Sequence, residues 1–188
     1  MKIVIVGAGE VGRYVAKMLS NENHDITIMD ESEERLQDLD TNYDIMSRVG
    51  SPTSITDLQM CGVRNCDLFI AVNTSESVNT TACIIASKLG ARRTLARIDN
   101  YEYLLPKHKE FFAKLGVNSL IYPEMLASKE IIEGVKRSWV RQYWEVHDGA
   151  LIMLGIKLRE TATILNQPLY KLCPPDSPYR IVVIKRDD

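Results

Sequence analysis

The sequence predicts an α/β protein built on a doubly wound parallel sheet, followed by a smaller lobe of different construction. Three features of the chain point to it. Apolar, β-branched runs alternate with amphipathic stretches from the first residue to about residue 138. The first run, Ile3–Val6, opens directly into Gly7, Gly9 and Gly12, spaced G-x-G-x-x-G. The alternation then breaks, and residues 139–188 read as a strand pair, a short helix and a last strand.

Each element has its own signal. After the strand Ile3–Val6, the stretch from Glu10 to about Asn21 carries Val11, Val15, Met18 and Leu19 as a helical stripe. Asp25–Asp30 reads as a strand, Glu31–Leu39 as a short charged helix and Asp44–Val49 as a third strand. A helical stretch follows from Ser54 to about Cys61, then the buried strand Asp67–Val72. Ser77–Leu89 is a helix closed by Gly90, a common C-terminal stop. Arg93–Ile98 is a strand, Asn100–Leu115 is mostly helical despite Pro106, and Asn118–Tyr122 is the sixth strand. Pro123 suits the first turn of a helix reaching about Ser138, and Glu124 suits its positive end. Six strands with helical crossovers imply a Rossmann-like sheet in the order 3-2-1-4-5-6, with helices on both faces and a ligand crevice beside the first strand.

In the tail, Gln142–Val146 and Leu151–Leu158 pair around His147-Asp148-Gly149, where Asp-Gly is a hairpin signal. A helix is expected over Thr163–Leu172, then a loop holding Pro174, Pro175 and Pro178, then the strand Tyr179–Arg186. The expected division is therefore 1–138, a nucleotide-binding lobe with its crossover helix, and 139–188, a partial α+β lobe. A lobe this short is marginal alone, so it is expected to be truncated or completed by a partner chain.

Composition narrows the function. The chain has 188 residues, 45% hydrophobic and 26% charged, and its formal charge is 23 − 25 = −2. There is no basic excess to draw nucleic acid or an anionic membrane, and Arg92-Arg93 and Lys136-Arg137 read as solvated surface. No apolar run approaches the roughly 20 residues of a membrane-spanning helix, and the start lacks the pattern of a secretion signal. Cys61, Cys66, Cys83 and Cys173 are scattered, without a C-x-x-C pair; buried free thiols in a reducing cytoplasm are expected, and no metal site.

The glycine loop carries the chemistry. Gly7 permits the tight turn out of the strand, Gly9 lets backbone approach a pyrophosphate, and Gly12 lets helix pack on strand. The helix start adds free N–H groups and a positive dipole end. Asp30 ends the second strand, where an acid accepts ribose hydroxyls; it also suits capping of the next helix, where Ser32 competes. A carboxylate there repels a 2′-phosphate, which favours NAD over NADP and leaves ATP or ADP allowed. Arg35 reads as solvated on the helix. Asn73 and Thr74 leave the end of the fourth strand at the crevice, with helix capping by Thr74 or Ser75 as the competing role. Arg97 lies in a buried strand and needs a partner, either a phosphate or ribose or Glu124. The expected binding set is Gly7, Ala8, Gly9, Glu10, Val11, Gly12, Asp30, Asn73, Thr74, Arg97 and Glu124. No catalytic set accompanies it: His24, His108 and His147 fall in a loop, a charged helix and the hairpin, none at a strand end beside a plausible acid or nucleophile, and no nucleophile-elbow, zinc-protease or P-loop motif occurs.

The series MKIVIVGAGEVG, ITIMD, AVNTSESVN, LARI and LIYPE, in this order, resembles the RCK (KTN) domains of potassium uptake and channel proteins. The resemblance implies a Rossmann N-lobe that binds NAD(H), or in some members ATP or ADP. Gly7 to Gly12 would hold the phosphates and Asp30 the ribose. The helix after Pro123 would lead to the C-lobe and help make a dimer. It also implies a non-enzymatic regulator at the cytoplasmic face of the membrane. Such a regulator assembles as a dimer, tetramer or octameric ring on a potassium channel or transporter subunit of the TrkH kind. The segment that reads Gly-Asp-x-Thr in many such domains is here Gly50-Ser51-Pro52-Thr53, without that acid. The alternative is an NAD-dependent oxidoreductase fragment lacking its substrate domain.

Overall fold

The computed structural model describes residues 1–37, 39, 43–136, 140–147 and 149–186. It divides into two compact units, Met1–Lys129 and Glu130–Asp188.

The first unit alternates strand and helix: β1 (Lys2–Val6), α1 (Glu10–Ser20), β2 (Asp25–Asp30), α2 (Glu33–Leu36), β3 (Ile45–Val49), α3 (Ile55–Met60), β4 (Leu68–Ala71), α4 (Glu76–Leu89), β5 (Thr94–Arg97), α5 (Pro106–Leu115) and β6 (Ser119–Ile121). Helix α6 (Pro123–Lys136) begins in this unit. All six strands are parallel, in the order β3-β2-β1-β4-β5-β6, as the sequence predicts. Side-chain alternation splits the core into two layers. Val4, Val6, Phe69 and Ala71 pack on one side of the sheet with Leu58, Ala82, Cys83 and Ala86. Ile3, Ile5, Ile28 and Ile70 pack on the other with Ala16, Leu36 and Leu39. Strands buried on both faces read as continuous apolar runs, which is why β1, β2 and β4 were recognisable without alternation. The C-terminal ends of β1, β2, β4 and β5 share one edge of the sheet, and this edge carries the candidate site.

Proline changes one expected helix of this unit. The helix expected over Asn100–Leu115 is divided. A 3-10 turn covers Tyr101–Leu104, with Asn100 accepting the Glu102 N–H, and Leu105 is extended (ψ 142°) ahead of Pro106, which starts α5. A residue before proline is disfavoured in the helical region, whereas proline suits a first helical position.

The second unit contains β7 (Val140–Val146) and β8 (Leu151–Ile156), paired antiparallel with an irregularity between Val140 and Gln142, and a four-residue helix α7 (Leu169–Leu172). His147 and Gly149 both have positive φ at the hairpin turn, whose third expected residue, Asp148, lies outside the described residues, as does Arg137 of the Lys136-Arg137 pair. Two expectations are corrected here. The helix foreseen over Thr163–Leu172 is confined to α7, because Pro168 removes a donor and disfavours helix before it. The strand foreseen over Tyr179–Arg186 does not form among the described residues, where Tyr179–Arg186 joins no ladder. The Arg180 guanidinium instead donates to the carbonyls of Pro174, Pro175, Ser177 and Tyr179, and the Tyr179 hydroxyl donates to Leu172 O, binding this segment back to the proline-rich loop.

Candidate functional site

The strand ends frame a cleft of about 240 Å³. Its first half is the glycine loop. Gly7 has φ +102°, and a Cβ there would lie 2.9 Å from the Asn73 nitrogen, so both conformation and space demand glycine. A Cβ on Gly12 would collide with the Gly7 carbonyl oxygen, so this glycine sets the close approach of α1 to β1. Gly9 differs: a Cβ there would meet nothing within 4 Å, because this position faces the open cleft as the N-cap of α1. Glu10 and Val11, the first residues of α1, line the cleft beside it, with first-turn N–H groups that have no intrahelical partner.

Asp30 is 5% exposed and held from two sides. Its Oδ2 accepts the Ala8 N–H at 2.7 Å, and its Oδ1 accepts the Ser32 N–H at 2.9 Å. One carboxylate thus joins the glycine loop to the start of α2. Ser32 is the N-cap of α2 but makes no side-chain cap bond, and Asp30 holds the Ser32 N–H rather than an N–H of the helix, so neither expected competitor caps α2 by a side chain. Arg35 is not merely solvated: its Nη1 lies 3.7 Å from Asp30 Oδ2 and its side chain lines the cleft. Its carbonyl accepts from Arg13 Nη1 at 2.9 Å. On the same side of the site, Ser51 N–H donates to Asp57 Oδ2 at 2.9 Å.

The second half of the cleft is formed by Asn73, Thr74 and Arg97, beyond the ends of β4 and at the end of β5. Arg97 Nη2 lies 3.4 Å from Asp99 Oδ1 and 3.9 Å from Glu124 Oε1, so the expected Glu124 partner is in reach but distant. Arg97 Nε is buried without a hydrogen-bond partner. Thr74 lines the cleft, and Ser75 is the N-cap of α4 without a side-chain cap bond, so neither hydroxyl is spent on capping. Two residues of α4 that sequence reasoning passed over hold this half together. Asn79, fully buried, accepts the Asn73 N–H at 2.8 Å and donates to Asn73 O at 2.9 Å and Arg97 O at 3.0 Å. Glu76 accepts the N–H groups of Asp99 and Asn100, both at 2.9 Å. Only their i, i+3 spacing on an amphipathic helix hinted at them.

The predicted residues thus fall into three positions. Gly7, Gly9, Glu10, Val11, Asp30, Asn73, Thr74 and Arg97 line the cleft. Ala8 and Gly12 shape it from behind, and Glu124 stands at the far side of Arg97. The lining contains no histidine, cysteine, lysine, serine or tyrosine. Among the described residues no group of three histidine, cysteine or acidic side chains could hold a metal ion. Burial pushes the thiols of Cys61 and Cys66 up to about 11 and that of Cys83 up to about 12, which marks them as core rather than nucleophiles. The solvent-facing Arg92 pairs with Asp67 at 3.0 Å. The backbone N–H of Lys2 and this guanidinium hold the Asp67 carboxyl below its usual range.

The family model of the TrkA-N domain matches residues 3–123, most of the first unit. The chain belongs to the TrkA-N domain family. Its relatives include the Trk system potassium uptake protein TrkA of Azorhizobium caulinodans, 29% identical over the whole chain but covered over only 42% of its own length. The protein of the same name from Haemophilus influenzae is 40% identical over 70% of the chain and 29% of its own length. The chain therefore spans less than half of these two relatives. A TrkA homolog of Methanothermobacter thermautotrophicus is 27% identical over 98% of the chain and 82% of its own length. Solved structures place the fold alongside three others. The TrkA-N domain of the Escherichia coli inner membrane protein ybaL gives a TM-score of 0.61 at 15% identity, over 70% of this chain and 94% of that one. The Shewanella denitrificans Kef CTD in AMP-bound form gives 0.57 at 18%, over 72% and 80%. The GsuK channel bound to NAD gives 0.53 at 22%, over 64% and 21%. At these identities the TrkA-N likenesses establish the fold. Among the described residues no helix is long and apolar enough to cross a membrane.

Proposed function

We propose that this TrkA-N chain is a nucleotide-sensing regulatory domain of a Trk-type potassium uptake system. It binds NAD(H), and ATP or ADP in the same cleft, and passes the bound state to a membrane channel or transporter subunit. The observation that carries this reading is the division of labour among the glycines. Gly7 and Gly12 are closed in by backbone, whereas Gly9, of the three, opens on the cleft at a helix start. That is the arrangement a pyrophosphate requires. Asp30 retains lone pairs for a ribose diol, and the unpartnered Arg97 Nε offers a donor to a phosphate or sugar oxygen. The family relatives named as potassium uptake proteins, and related folds crystallised with NAD and AMP, support the same assignment.

The domain acts by binding rather than by chemistry, since the Thr74 hydroxyl has no histidine, lysine or cysteine beside it in the cleft lining and the Asp30 carboxylate is engaged by Ala8. A sensor shifts its partner only by its differential affinity for two states; a factor of about 10–100 per site corresponds to about 1.4–2.7 kcal/mol. Residues 1–138 form the ligand-binding lobe with its crossover helix, and 139–188 belong to the C-lobe. Copies associate through the second unit and α6, at the inner face of the membrane where the partner resides. Calorimetric titration with NADH and ATP tests the core of this. Binding to the wild-type chain, lost in Gly9→Asp and weakened in Asp30→Ala, supports it; equal heats from wild type and Gly9→Asp overturn it.

A further inference from the structure

We propose that Asn79 is a positioning residue that makes the cleft selective for a dinucleotide over a mononucleotide. It rests on the nucleotide reading above. A doubly wound sheet of this order binds a dinucleotide across the point where the strand order reverses, one nucleotide over each half. Here the reversal lies between β1 and β4. The glycine loop and Asp30 belong to the first half and serve any adenine nucleotide. Asn73, Thr74 and Arg97 belong to the second half, and Arg97, at the end of β5, is reached only by a ligand that extends past the end of β4.

Within that second half one side chain joins the segment after β4 to the end of β5. Asn79 is fully buried and uses its carboxamide three ways: one bond to the Asn73 N–H and two to the carbonyls of Asn73 and Arg97. It therefore ties the segment after β4 to the last residue of β5, two parallel strands whose ladder pairing ends at Ala71 and Ala96. Beyond that pairing, the interval between the strand ends is set by this carboxamide. The same interval decides where the Arg97 guanidinium and the Asn73–Thr74 backbone stand relative to each other. Asn79 bonds the Arg97 carbonyl, so it holds the backbone from which the guanidinium extends, and Arg97 Nε is buried and unpartnered. Asn73 also contacts the first half: a Cβ on Gly7 would lie 3.0 Å from Asn73 Oδ1, and Asn73 Nδ2 donates to Val6 O at 3.4 Å. Asn79 thus fixes the second half to β5 and, through Asn73, to β1. It touches no ligand itself.

The test is a titration of the whole chain with NADH and with AMP, for wild type, Asn79→Ala, Arg97→Ala and the double variant, with ligand-free melting curves alongside. The expected result is that Asn79→Ala weakens NADH binding about tenfold and leaves AMP binding within about twofold, measured well below its melting temperature. In the Arg97→Ala background the same change weakens NADH binding by less than about twofold, because Asn79 acts through Arg97. Asn79→Asp keeps the oxygen that accepts from Asn73 and removes the two donated bonds; the same ordering of ligands is expected of it. Equal loss of NADH and AMP binding, full additivity with Arg97→Ala, or unchanged NADH binding overturns the positioning role. Wild-type protein that binds neither ligand overturns the nucleotide reading itself, whereas wild-type binding with unaffected Asn79 variants overturns only the role of Asn79.

Discussion

The two units of the chain solve the burial problem in opposite ways. In the first, the central strands β1, β2 and β4 are sandwiched, and Ile5, Val6, Ile28 and Phe69 are sealed completely. In the second, no described residue is buried: Trp144, Ile152, Leu154 and Ile156 of the hairpin are all more than 40% exposed, and Val182 and Val183 more than 75%. The last buried residue along the described chain is Val117. The two units do not differ in apolar content so much as in geometry. Helices can cover both faces of a six-stranded sheet, but a lone hairpin has no second layer to bury its face against. Such a surface is what association between copies would cover.

Substitutions sharpen this contrast or break it. The largest effect is expected from Phe69→Ala, which empties the centre of the first unit and should lower stability by about 3–5 kcal/mol in urea unfolding. Gly12→Ala comes next, at about 1–3 kcal/mol, since α1 must move away from Gly7 to admit the methyl group; a wild-type melt would show that the α1–β1 approach is not constrained. The buried thiols give a smaller, pH-dependent effect. Their folded-state values lie above the ordinary thiol range, so folding favours the protonated forms. That contribution is complete below about pH 8.5 and is lost as pH rises towards 11–12, on the order of 1–2 kcal/mol for each thiol by pH 10. Melting at pH 8 and 10 in wild type and Cys83→Ala checks it, and an unchanged pH slope in the variant would count against it. The smallest effect is expected from Ile152→Ser in the hairpin, within about 0.5 kcal/mol in dilute protein. A loss that grows with protein concentration would show that another copy covers this face, and would break the contrast by supplying the second unit with a core.

The same contrast explains what could be read from sequence. The sandwiched strands announce themselves as short apolar runs, and the glycine loop follows a strand and opens a helix, the context that makes its spacing informative, so the sheet order and the first half of the cleft were legible. The tail was read less well, because Tyr179–Arg186 has the residues of a strand but no ladder partner, and strand propensity without a neighbour decides nothing. Pro106 and Pro168 moved helix starts by the local rule that the residue before proline avoids the helical region. Asn79 and Glu76 were not legible as site residues, since their importance lies in bonds to backbone 6 to 24 positions away. Arg35 was misjudged for the same reason: its place beside Asp30 depends on how β2 turns into α2.

The double engagement of Asp30 has a kinetic corollary. A carboxylate already anchored by Ala8 and Ser32 does not have to be recruited, so on the nucleotide reading proposed above a sugar would enter the first half of the cleft without a preceding loop rearrangement. On that reading exchange would be governed by encounter and release, and occupancy would follow the nucleotide pool on the timescale of dissociation. A membrane partner coupled to it would track metabolic state with little lag.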